Sequence, residues 1–194
     1  MIFSIVDVET TGVYNIDRIL EIGIVQMDER GNTLAEFETL INPMRDIGNS
    51  DIHGIEARHV ADAPTFAEVA VTVLEMLMSA DVVVAHNFSF DWRMLCNEFE
   101  RLGYHLPAGI NSLCTIQAFQ QVDPGCPRHL ASLCSKYEIP IAHHSAIGDA
   151  RATAELLKIA MGVLEFGRPP KVVWQPHAMT SSTKRKPRSQ DGAV

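Results

Sequence analysis

Residues 2–8 (IFSIVDV) are apolar on both faces of an extended chain, where a half-exposed strand would alternate. Such a segment is buried from both sides, which places it centrally in a sheet. Yet Asp7 lies inside the run and Glu9 follows one residue after it. In a strand, residues two apart project to the same face, about 6.5–7 Å apart along the chain. Two carboxylates in a poorly hydrated site repel, so one stays protonated or the pair finds a cation.

The hydrophobic pattern elsewhere builds a domain around that strand. Residues 18–28 (RILEIGIVQMD) read as a second strand, closed by the turn signal Glu29-Arg30-Gly31-Asn32. Residues 33–42 alternate apolar and polar as a half-exposed third strand and stop at Pro43. The segment 44–65, rich in Gly, Asp and His, reads as irregular. Residues 66–79 place Phe66, Val69, Ala70, Val73, Leu74 and Leu77 at helical spacing. A short buried strand, VVVAH (82–86), precedes a helix over 88–102 with Phe88, Trp92, Leu95, Phe99 and Leu102 on one face. A turn is expected over 103–113, and 114–121 fits either a strand end or a helix. Further helices are expected over 129–137 and 148–164. Strands first, then strand–helix alternation, predict an α/β domain with a mixed sheet.

Composition divides the chain. Six of the 16 Lys and Arg residues, but only one of the 24 acids, lie from Arg168 onward, so an acidic body precedes a basic end. From Gly167 the sequence is dominated by Pro, Ser, Thr, Lys and Arg, the profile of a disordered tail. The expected organisation is therefore a folded domain over 1–166 and a basic tail over 167–194. The cysteines (Cys96, Cys114, Cys126, Cys134) form no CxxC pair, which argues against a zinc site built on them. No stretch approaches the ~18 uninterrupted apolar residues of a membrane span. No basic segment precedes the first strand as in a secretion signal, so a cytoplasmic protein with reduced thiols is expected.

Two more acidic positions join the opening pair. After VVVAH comes Asn87-Phe88-Ser89-Phe90-Asp91, with Asp91 in the first turn of a predicted helix, a position the helix dipole favours. Near the last helix stands His143-His144-Ser145-Ala146-Ile147-Gly148-Asp149. Taken singly, each has an ordinary reading: a strand-end pair facing water, two helix-start acids, an exposed loop histidine. Together they offer hard oxygen ligands at three places in the chain, a donor set suited to Mg²⁺ or Mn²⁺.

The order D-x-E-T-T-G (7–12), H-N-x-x-F-D (86–91) and H-x-A-x-x-D (144–149) resembles the three motifs of the DEDDh 3′–5′ exonucleases. This is the DnaQ-like family that includes the proofreading ε subunit of bacterial DNA polymerase III. Ile52-His53-Gly54-Ile55 is similar to the I-H-G-I segment of its proofreading branch, and the resemblance spans roughly residues 2–164. It implies a ribonuclease H-like three-layer fold, a mixed central sheet flanked by helices. It also implies that Asp7, Glu9 and Asp149 bind one divalent ion, with Asp7 bridging to a second held by Asp91. His144 would be the general base, with an unperturbed pKa of about 6.5 that suits neutral pH. Only His144 has the five-residue spacing to Asp149, which leaves His143 as a flanking residue. Thr10, Thr11, Gly12, His53, Gly54, Ile55, Asn87 and Phe90 are the implied contacts to the terminal nucleotide. Phe88 stands where the family often has a small residue, and it replaces no ligand. Phe88, Trp92 and Phe99 are read as core.

The expected activity is release of nucleoside 5′-monophosphates from single-stranded or frayed DNA 3′ ends, in proofreading, repair or turnover. An exoribonuclease is the rival within the class, and I-H-G-I favours DNA. From a different class comes an accessory module docked to a polymerase or nucleic acid through the tail cluster Lys184-Arg185-Lys186-Pro187-Arg188.

Overall fold

The computed structural model describes residues 1–48, 50–141 and 145–162. Five strands form one mixed sheet in the order β3-β2-β1-β4-β5. They are β1 (Ile2–Thr10), β2 (Ile19–Asp28), β3 (Thr33–Leu40), β4 (Val82–Ala85) and β5 (Ser112–Cys114). The strand that the sequence requires to be central is central. β1 is antiparallel to β2 and parallel to β4, while β2–β3 is antiparallel and β4–β5 parallel.

The pleat of β1 divides the core. Its even positions Val6 and Val8 pack with Ile22 and Ile24 of β2 beneath α3 (Phe66–Met78) and α4 (Phe88–Arg101). Its odd positions Phe3 and Ile5 pack with Val25 and Met27 beneath α5 (Thr115–Val122), α6 (Leu130–Lys136) and α7 (Ala146–Ala160). The result is three layers, helices–sheet–helices. Ile5 and Val6 are fully enclosed, each stabilising the fold by about 1.5–3 kcal/mol. α3 is capped by Thr65, whose backbone N–H and hydroxyl both donate to Glu68 Oε2, at 2.7 and 2.8 Å. Phe88, Trp92 and Phe99 are buried, Phe88 stacking on Trp92 and Phe99 meeting the edge of Phe66.

Three local expectations change. The stretch 44–65 is not wholly irregular, because α1 (Ser50–His53) and α2 (Ala57–Val60) form within it. Each is four residues, too short to show a helical period. The end of the expected turn at 103–113 is strand: β5 starts at Ser112 and passes directly into α5, so 114–121 is both things it resembled. α7 starts at Ala146, two residues early, because Ser145 caps it by accepting the Gly148 N–H at 3.0 Å. The expected tail lies outside the described residues. Among those described, no helix is long and apolar enough to cross a membrane.

Candidate active site

The odd face of β1 that packs on α7 ends in Asp7 and Glu9. On the neighbouring strand, Gly23 pairs with Asp7 and Glu21 pairs with Glu9, so all four residues share that face. A methyl group at Gly23 would lie 2.3 Å from Ile147 N and 2.5 Å from Ala146 O. The bare glycine thus lets the start of α7 rest on the sheet backbone beside Asp7. The first turn of α7 then brings Asp149 to the strand acids. One carboxylate oxygen from each of Asp7, Glu9 and Asp149 lies within 4.8 Å of the other two.

Asp91 reaches the same place from another layer. β4 ends level with the middle of β1, and α4 starts just beyond it, so the first turn of α4 sits at the carboxyl end of two parallel strands. That end of an open sheet is where ligand sites form. Asp91 is only 3% exposed and beside the other acids.

The electrostatics record the crowding. Burial, then the charges of Asp91, Asp149 and Glu9, hold the Asp7 carboxyl well above the usual carboxylate range. Burial, followed by Asp149 and Glu21, pushes Glu9 to about 7. Burial likewise raises Asp91 to about 8, although hydrogen bonds from its own backbone and that of Val8 oppose the rise. Among the described residues, no Lys, Arg or His forms a salt bridge with Asp7, Glu9 or Asp91. An all-oxygen cluster of negative groups at this spacing fits a hard divalent cation.

The turn after β1 is tied from within. Thr10 Oγ1 donates to Gly12 O at 2.7 Å, and Thr11 Oγ1 donates to Asp17 Oδ1 while accepting the Arg18 N–H. Asp17 accepts the Tyr14 N–H at 2.8 Å and pairs with Arg45. A methyl group at Gly12 would fall 2.4 Å from Asp17 Oδ2. Three arginines then grip the carbonyls of the next residues: Arg93 on Val13, Arg45 on Ile16, and Arg101 on Asn15 and Asp17. Glu98, 1% exposed, accepts from Arg18 Nε at 2.7 Å and from the Ile19 N–H at 3.1 Å. It also pairs with Arg101.

His53 is buried, with Nε2 3.1 Å from Gly48 O and Nδ1 accepting the Ile55 N–H at 3.0 Å, so it fixes its own loop. Gly54 is exposed at a φ of +70°, which favours glycine, and Ile55 is buried. Asn87 is the exposed residue before α4, and half-buried Phe90 packs on the core with the Arg93 guanidinium over its ring. His143 and His144 lie outside the described residues.

Sequence reading missed Asp17, Glu21 and Glu98, all at most 7% exposed. Glu21 carried a visible signal: it is the one acid inside the apolar run ILEIGIV of β2. Asp17 and Glu98 carried less, since acids in loops and helices are ordinarily solvated.

Strands in this order, with acids gathered at the carboxyl end of the central one, define the nucleases of the ribonuclease H-like fold. Within them the chain belongs to the DnaQ-like exonucleases: the family model described as exonuclease (RNase T) matches residues 4–157. The chain is 32% identical over 167 residues to DNA polymerase III subunit epsilon of Escherichia coli K12, covering 78% of this chain and 68% of that one. It is 33% identical over 171 residues to the PolC-type DNA polymerase III of Caldanaerobacter subterraneus, covering 85% of this chain but 12% of that far longer protein. The solved structure of exonuclease X with 5′-overhanging duplex DNA superimposes with a TM-score of 0.69 at 27% identity, covering 84% of this chain and 93% of that one. The family's reaction is 3′–5′ exonucleolytic hydrolysis, for which its members use divalent metals.

Proposed function

We propose that the chain removes nucleotides from single-stranded or frayed DNA 3′ ends by two-metal-ion hydrolysis, releasing nucleoside 5′-monophosphates. The observation that carries this reading is the convergence of Asp7, Glu9 and Asp149 within 4.8 Å, in the layer next to buried Asp91. Asp7, Glu9 and Asp149 would hold one ion, and Asp7 and Asp91 would hold the second. When bound, such a pair acidifies a water and stabilises the departing 3′ oxygen. His144 takes the proton from the attacking water, a role resting on its spacing to Asp149. Thr10, Thr11 and Gly12, with His53, Gly54 and Ile55, shape the seat of the terminal nucleotide, and Asn87 and Phe90 border it. Since the Thr10 and Thr11 hydroxyls and both His53 ring nitrogens are engaged internally, these residues act chiefly by fixing backbone.

DNA is favoured over RNA by Ile52-His53-Gly54-Ile55 and by the similarity to DNA polymerase III subunits. On this reading the enzyme works in the cytoplasm, with residues 1–166 as catalytic body and 167–194 as a basic tail; an accessory module docked to a polymerase or nucleic acid through that tail is the alternative. Matched DNA and RNA oligonucleotides, labelled at either end, test the reading in Mg²⁺, Mn²⁺ and EDTA. Mononucleotide release from DNA 3′ ends, abolished by EDTA, is expected. Turnover in EDTA, digestion from the 5′ end, or much faster RNA cleavage overturns it.

A further inference from the structure

We propose that Glu21 is a positioning residue: its carboxylate latches the first turn of α7 and so sets Asp149 against Asp7 and Glu9. The role deepens the metal-dependent reading and rests on it.

Glu21 stands directly across from Glu9 in the β1–β2 ladder. Like charges opposite one another destabilise a sheet, and here Glu21 is nearly enclosed while Glu9 is half-buried beside it. Glu38 and Asp149 add further negative charge around Glu21. An apolar residue would suit this nearly enclosed position on a strand flanked by Leu20 and Ile22, so retaining an acid calls for a specific partner. That partner is the backbone of α7, since Glu21 Oε2 accepts the buried Ala146 N–H at 2.9 Å.

Ala146 opens α7, and its amide is one of the donors a helix leaves unsatisfied at its start. Ser145 satisfies the Gly148 amide, and the Asp149 amide closes onto Ser145 O at 3.0 Å. Glu21 therefore ties down one of the donors that the helix's own cap does not satisfy. Two residues along β2, Gly23 fixes how closely the same turn approaches the sheet. The latch sets lateral position and the glycine sets depth, three residues before the ligand Asp149.

The test compares Glu21→Gln, which keeps an acceptor oxygen at the same reach, with Glu21→Ala and the shorter Glu21→Asp. Mn²⁺ affinity is measured by calorimetry, alongside kcat and KM on a DNA oligonucleotide, with folding checked by circular dichroism. E21A and E21D should bind Mn²⁺ at least tenfold more weakly and lose kcat tenfold or more, with KM within about twofold of wild type. E21Q should remain within threefold of wild type in both. If E21A does not fold, E21D, which keeps the charge and loses only reach, carries the comparison. Wild-type Mn²⁺ affinity in folded E21A or E21D overturns the latch, as does E21Q failing as badly as E21A. Absence of Mn²⁺ binding by the wild-type chain instead overturns the metal-dependent reading itself.

Discussion

Removing one charge from the cluster should stabilise the metal-free protein while weakening its response to metal. Consider Glu9→Gln. The Glu9 carboxyl sits at about 7 in the folded chain against an ordinary 4.5, chiefly through burial and then through Asp149 and Glu21. That displacement corresponds to about 3 kcal/mol as a ceiling, and partial exposure to solvent reduces it to about 1–2 kcal/mol. The sign follows from which state holds the proton. Below pH 4.5 both folded and unfolded chains are protonated at Glu9, and the group costs nothing. Between 4.5 and about 7 the unfolded chain has released its proton and the folded chain has not, so stability falls as pH rises. Above that window the cost is fully present. In EDTA above neutral pH, E9Q should therefore melt about 2–8 °C higher than wild type, converging with it under acid conditions. Magnesium should reverse the order: a site filled at about 100 Kd adds about 2.7 kcal/mol to the wild type, and E9Q gains less. Thermal melts across pH, with EDTA or with saturating Mg²⁺, read both effects. An E9Q melting temperature equal to wild type in alkaline EDTA, or an offset that is the same at every pH, would refute the account.

Other substitutions probe the scaffold. Asp91→Asn removes a buried carboxyl held at about 8, and should lower kcat by about 10–100-fold or more while raising the melting temperature in alkaline EDTA. Gly23→Ala places a methyl group 2.3 Å from the Ile147 backbone nitrogen and should cost about 1–3 kcal/mol by urea unfolding, with weakened Mn²⁺ binding. Glu98→Ala leaves the buried Ile19 N–H and two arginines without their shared acceptor, and should cost about 3 kcal/mol in the same assay. His144→Ala should reduce kcat with Mn²⁺ affinity unchanged, and a lost metal response would assign that side chain elsewhere.

Much of this fold is legible in the sequence because its central elements are long and carry unambiguous periods. β1 shows no alternation and is buried on both faces, whereas β3 alternates and lies at an edge. α3 and α4 repeat their apolar residues over more than three turns. The three residues of β5 and the four each of α1 and α2 are too few to display any period. Their conformations come from the sheet and loops around them. The acids at 7, 9, 91 and 149 stand out through motif order. Glu21 belongs to no motif, and its significance emerges only when the ladder places it opposite Glu9 and the helix start descends onto it.

Because two of the four clustered acids ride on the central strand of the sheet, the site has little freedom to open separately from the domain. Amide hydrogens around Asp7 should exchange only at the rate of global unfolding, far more slowly than those of edge strand β3. In denaturant titrations, enzymatic competence and the cooperative core should then disappear together, with no folded yet inactive intermediate created by fraying of β1.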